Sequence, residues 1–210
     1  MTWWQAIILG LLQGLTEFLP VSSSGHLVLA QHVLGIQLTP DVTFEVLLHT
    51  GTAFSIMTVY RHRLGAIVTD TVRTFLHTRK AYRTNTNVRT AWLVIFASIP
   101  AGMAYVFLDL QLEWTYARPW FACLMLIVTG VLLGFTILAR SQGGQVTIWK
   151  SLFMGVAQAV SLLPGMSRSG ATISTGLLFG IKPEAAADFS FIMVLPAILG
   201  ATLILSLIHI

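Results

Sequence analysis

The sequence predicts an all-α integral membrane protein: an inverted-topology repeat with two re-entrant helical hairpins and several transmembrane helices. Three observations carry this prediction. The 210 residues are 55% hydrophobic and only 10% charged, with mean hydropathy +0.79, whereas a soluble domain carries about 25% charged residues. Apolar windows near 43–60, 91–108, 118–139 and 188–208 approach the roughly 20 residues that a bilayer core demands of a helix. The chain also matches itself without a gap at an offset of 145 positions.

That register pairs Trp4 with Trp149, Gly10 with Gly155 and Gln13 with Gln158. It then pairs Ser22, Ser24 and Gly25 with Ser167, Ser169 and Gly170, Gly35-Ile36 with Gly180-Ile181, and Phe44 with Phe189. Coincidences among Leu, Ile and Val are cheap in apolar sequence. Matches at Trp, Gln, Ser and Gly in one register are not, so the chain reads as an internal repeat.

Residues 1–60 form the first repeat, a re-entrant hairpin followed by a transmembrane helix. The motif segments 3–34 and 148–181 are apolar but broken by Pro20, Gly25, Pro164, Gly165 and Gly170. Irregular backbone survives at membrane depth only where protein buries it or a wet cavity lies beside it. The window 43–60 carries Glu45 and His49, a costly content for a span. Residues 61–90 read as a basic cytoplasmic loop holding Arg61, Arg63, Arg73, Arg79, Lys80, Arg83 and Arg89, with Asp70 its only acid. By the positive-inside rule this loop marks the cytoplasmic side. Residues 109–117, with Asp109 and Glu113, then fall outside, and Arg140 and Lys150 inside. Residues 91–147 supply two transmembrane helices, and 148–210 the second repeat. Counting crossings from the basic loop, the first repeat starts outside and the second inside. The two halves are then inverted copies whose polar breaks meet near the midplane.

Several function classes are excluded. The single Cys123 makes no disulfide framework. "MTWWQAIILG" lacks the basic start of a cleaved signal. Nothing supports nucleic acid as a partner for the basic run. "SSSGH" is neither a G-x-S-x-G elbow nor preceded by a strand, so an α/β-type serine hydrolase is out.

Together the breaks offer Gln13, Glu17, Ser22, Ser23, Ser24, His26, Ser167, Arg168 and Ser169. Gln13 and Glu17, four apart, share a helix face. Ser-rich turns that lead through Gly25 or Gly170 into a new helix favour an anion. The Arg168 fork fits phosphate oxygens. His26 can exchange protons near neutrality, and Glu17 can hold a metal or orient the imidazole. This is a parts list for phosphoryl transfer. Duller readings stand beside it. Ser22 and Ser24 could bond only to helix carbonyls, Glu17 and Arg168 could be a structural ion pair, and His26 could be a packed core histidine. Glu45 and His49 belong to an outer ring, and His32, His62, His77 and His209 have no polar company.

"QGLTEFLPVSSSGHL" and "LPGMSRSGATIS" resemble the two signature segments of the undecaprenyl-diphosphate phosphatases, the BacA/UppP family. With "FEVLLHTGT" and the spacing between motifs, the resemblance spans nearly the whole chain. It implies a multi-pass bacterial inner-membrane enzyme that removes one phosphate from undecaprenyl diphosphate and faces outward. It also implies a role in recycling the lipid carrier for peptidoglycan and in bacitracin resistance. A divalent cation, Mg2+ or Ca2+, is implied as cofactor, a polyprenyl diphosphate lipid and the bilayer as partners; a homodimer is compatible with it. Residue by residue, Glu17, Ser23, His26 and Arg168 match catalytic positions. Ser22, Ser24, Gly25, Ser167, Ser169 and Gly170 match the substrate-binding turns, and Glu17 with Gln13 the metal site. Gln13 stands where the family often has Glu, so this chain has one carboxylate fewer. Whether Ser23, His26 or water attacks phosphorus stays open. The family runs on for several tens of residues past "LSLIHI", which implies a second repeat truncated in mid-span; the hexapeptide itself reads as adapter-derived sequence foreign to the protein. The rival class is a secondary transporter or lipid flippase, which shares inverted repeats and broken helices.

Overall fold

The computed structural model describes residues 1–36, 43–74, 78–116, 118–139 and 143–208. His77, Arg140 and His209, named above, lie outside them. Helices α1 (Trp3–Thr16) and α2 (Ser23–Val33) form a hairpin, followed by α3 (Thr43–Val59), α4 (Arg61–Arg73) and the short α5 (Thr78–Thr84). The long α6 (Thr86–Tyr116) and α7 (Pro119–Phe135) come next, α7 being prolonged by a 3-10 turn at Thr136–Leu138. A second hairpin, α8 (Ile148–Val160) and α9 (Arg168–Leu178), leads into α10 (Pro183–Ile208). Among the described residues three helices are long and apolar enough to cross a membrane, at Thr86–Phe107, Pro119–Leu138 and Pro183–Ile204. The fourth expected window is α3, a helix of 17 residues, short of the roughly 20 a bilayer core takes.

The surface is inverted relative to a soluble protein. Trp3, Leu11, Leu15, Val106 and Phe107 are exposed, while Gln13, Gln158, Ser167 and Thr172 are buried. Lipid solvates the first set at no cost, and the polar set must find partners inside.

Two segments expected to be connections are helical. Within 61–89, α4 is amphipathic, and its Leu64 and Ile67 pack on the core built from Leu93, Val94, Ala97, Met154 and Phe189. Asn87 and Asn85 donate to the Asp70 carboxylate at 2.8 and 3.0 Å. These bonds hold its pKa below the ordinary value and tie α4 to the start of α6. At 109–116 no Gly or Pro interrupts the chain, so α6 runs on to Tyr116. Pro119 then opens α7 at the first helical position, where its missing N–H costs nothing.

The two hairpins share their local build in the 145-residue register. Ser22 and Ser167 cap α2 and α9, accepting from Gly25 N–H at 3.2 Å and Gly170 N–H at 3.0 Å. Both helices end on a left-handed glycine, Gly35 (φ 65°) and Gly180 (φ 73°). The closing bonds correspond too: Gly35 N to His32 O and Ile36 N to Gln31 O, Gly180 N to Leu177 O and Ile181 N to Gly176 O. This is a Schellman stop, and glycine provides the left-handed residue without a Cβ penalty.

Close backbone approach sets the packing of the second hairpin. A Cβ on Gly155 would lie 2.2 Å from the Ala97 carbonyl oxygen, so α8 lies directly against α6, as small residues permit in membranes. α10 packs on α3 through Ala53, Ile56, Val194, Leu195 and Ile198.

Candidate active site

Glu17 follows the last turn of α1, its N–H bonded to Gln13 O at 2.9 Å. Gln13 and Glu17 therefore share a face, and Gln13 Nε2 donates to Glu17 Oε2 at 2.7 Å. Ser23, first residue of α2, donates its hydroxyl to the same oxygen. Arg168, first residue of α9, donates Nη2 to Oε1 and forms an ion pair. From α3, His49 brings Nε2 to 3.5 Å of Oε2, its Nδ1–H being given to the Glu45 carbonyl oxygen at 2.7 Å. Four helices thus converge on one carboxylate whose side chain is only 6% exposed.

The two polar breaks face one another, as the sequence leads one to expect. Gly165 N–H donates to Ser24 Oγ at 3.3 Å, and Ser169 Oγ donates to Leu19 O at 3.1 Å. A Cβ on Gly25 would meet Gly165 Cα at 2.9 Å, so only glycine allows the turns this close. Thr129 of α7 fixes the second break, donating to Gly165 O at 3.1 Å and accepting from Ser167 N–H at 3.0 Å.

Beside this cluster lies a cavity of about 410 Å³. Its polar lining includes Glu17, Ser23, Ser24, Ser167, Arg168 and Ser169, and its apolar lining includes Ala101, Val106, Pro196, Ile198 and Ile204. The arrangement can hold an anion at one wall and hydrocarbon at the others.

Most predicted site residues are brought together. Gln13, Ser22, Gly25 and Gly170 are not among the lining residues; Gln13 is buried behind Glu17, and the other three build the capped turns that aim their neighbours. His26 does not line the cavity either: its Nδ1–H is given to Ser22 O at 2.7 Å, and Ser22 holds an unusual positive φ of 65°. The imidazole beside Glu17 is that of His49. His49 and Glu45, assigned to an outer ring from sequence, both line the cavity. Gln158 lines it as well, and its signal was the match to Gln13.

The donor set bears on a divalent cation. Among the described residues no group of three or more His, Cys, Asp or Glu could hold a metal ion. Glu17 is already paired, yet the buried Oε1 of Gln13 has no hydrogen-bond partner among the described residues. One carboxylate and one amide oxygen do not make a closed cage; a hard cation held there would need waters and substrate phosphates as its other ligands.

A family model described as "Bacitracin resistance protein BacA" matches residues 6–210. The chain belongs to the BacA family. Curated relatives of this BacA-family chain include a protein named undecaprenyl-diphosphatase from Salinibacter ruber, 45% identical over 97% of this chain and 77% of the relative. Another of that name, from Syntrophotalea carbinolica, is 44% identical over 97% of this chain and 76% of its own length. A third, from Methanobrevibacter smithii, is 39% identical over 94% and 74%. As a BacA-family member, the chain carries both polar motifs inside the matched region.

Proposed function

We propose that the chain is a membrane phosphatase that hydrolyses undecaprenyl diphosphate to undecaprenyl phosphate and inorganic phosphate. This recycles a lipid carrier for envelope polymers and supports bacitracin resistance. Relatives at 39–45% identity bear the name of this activity. The observation that carries the reading is the Glu17–Arg168–Ser23 cluster, opening between two capped turns onto an apolar-walled cavity. Few other substrates need a phosphate site and hydrocarbon walls at one place.

The residues divide the work. Arg168 exchanges its Glu17 partner for the oxygens of the diphosphate and stabilises the charge that grows on them in the transition state. Ser23 already donates its proton to Glu17, so the carboxylate is placed as a base for Ser23, or for a water in its stead. His49 is close enough to steady the carboxylate. His26, bonded to the Ser22 carbonyl, supports the turn that presents Ser23. Overall, water adds to phosphorus, the anhydride P–O bond breaks, and the proton leaves through the Glu17 carboxylate. A divalent cation held by Glu17 and Gln13 Oε1 would supply charge neutralisation on the phosphates. The expected setting is the bacterial inner membrane, with the hairpins re-entrant, the halves inverted and the site facing outward.

The test is divalent-dependent phosphate release from undecaprenyl diphosphate by purified protein in detergent, with a full-length relative as control. Turnover without any gradient separates the phosphatase from a transporter. No release here, alongside an active control, overturns the reading.

A further inference from the structure

Gln158 is 2% exposed in α8 and lines the cavity. Neither its Nε2 nor its Oε1 has a hydrogen-bond partner among the described residues. Its repeat mate Gln13 donates to Glu17, four residues on. Four residues after Gln158 stands Leu162 instead. Two hydroxyls of the same lining spend their protons elsewhere: Ser161 Oγ donates to the Gln158 main-chain oxygen at 2.7 Å, and Ser98 Oγ to Val94 O at 2.8 Å. A buried amide unsatisfied at both ends carries the desolvation cost of two polar groups with nothing to offset it. Helix α8 carries that cost beside a cavity whose wall also holds Arg168 and the capped serines.

We propose that Gln158 is a substrate-binding residue that completes its hydrogen bonds on the diphosphate headgroup. The inference rests on the phosphatase reading. Deprotonated phosphate oxygens only accept, so Nε2 donates to a non-bridging oxygen. Oε1 then accepts from a water held against the same phosphate. The two glutamines of the repeat thereby take different tasks. Gln13 is held by the catalytic carboxylate, and Gln158, lacking one, is left to the ligand. A neutral amide binds a phosphate oxygen without adding charge, so it orients the headgroup while Arg168 neutralises it.

Gln158→Met keeps the volume and deletes both polar ends, and Gln158→Glu keeps the shape but replaces the donor with an acceptor. Steady-state kinetics on a short-chain isoprenyl diphosphate should show kcat/KM lower on the order of 10- to 100-fold in both, from the loss of a hydrogen bond to a charged group. Inhibition by inorganic phosphate should weaken in parallel. Thermal midpoints in detergent without ligand should be unchanged or higher for Gln158→Met, because an unsatisfied amide has been removed. The stabilisation of the wild type by added inorganic phosphate should shrink. A structural role gives the reverse: a lower midpoint, with kinetics and phosphate response intact in the molecules that fold. That result, or wild-type kcat/KM in Gln158→Glu, overturns the proposal. Absence of activity in the wild type itself would instead sink the phosphatase reading.

Discussion

The guanidinium of Arg168 and the carboxylate of Glu17 form an ion pair across 151 residues of sequence, joining the second hairpin to the first. The pair satisfies two charges that would otherwise be left largely buried and unpaired. It also stores the cation and the base of the proposed reaction side by side. Arg168→Lys retains the charge and loses the fork. Losing about 2–4 kcal/mol of transition-state stabilisation should slow turnover roughly 30- to 1,000-fold, read from initial rates of phosphate release. Near-normal rates with lysine would reduce Arg168 to bulk positive charge.

Gln13→Glu places a second carboxylate where an amide now donates to Glu17 at 2.7 Å. Without a cation the two should repel, lowering the thermal midpoint in chelator. Added Mg2+ should restore it, and the metal concentration for half-maximal phosphate release should fall, since a carboxylate is the stronger ligand. Identical metal titrations in variant and wild type would remove this helix face from the metal site.

Gly165 has φ 91°, and an added Cβ would lie 2.2 Å from the Ala122 carbonyl oxygen. Gly165→Ala should cost roughly 2–5 kcal/mol from left-handed backbone and overpacking together. Gly14, inside α1, has nothing within 4 Å of its virtual Cβ. Gly14→Ala should therefore be neutral or stabilising by up to about 1 kcal/mol. Melting followed by fluorescence-detected gel filtration checks both; a tolerated Gly165→Ala would contradict the close packing of α7 on the second break.

The proposed orientation has a direct readout. In a Cys123→Ser background, Arg83→Cys in α5 should be shielded from a membrane-impermeant thiol reagent in intact cells. His32→Cys, at the exposed end of α2, should react. The opposite labelling pattern would reverse the topology and undo the inverted arrangement.

Composition alone determined that this chain is a helical membrane protein, because bilayer solvation acts on averages over some 20 residues that a sequence window can read. The 145-residue register likewise exposed both hairpins and matched the serines and glycines that the structure shows as caps and stops, since capping is local chemistry between residues three to five apart. The cost of polar groups in apolar segments also singled out Glu17, Ser23 and Arg168 as too expensive to be idle. Other features needed the tertiary structure. The basic run 61–89 hides an amphipathic α4, because charge count masked Leu64 and Ile67 packing on the core. His49 rather than His26 meets Glu17, a choice made by how α3 crosses α1, which no spacing within one helix encodes. Gln158 matches Gln13 in sequence, yet only packing shows one amide held and the other bare. Partners for a side chain come from neighbouring helices. The physical reason is that burial and hydrogen bonding at a helix junction are settled by three-dimensional approach, whereas periodicity and capping are settled within one stretch of chain.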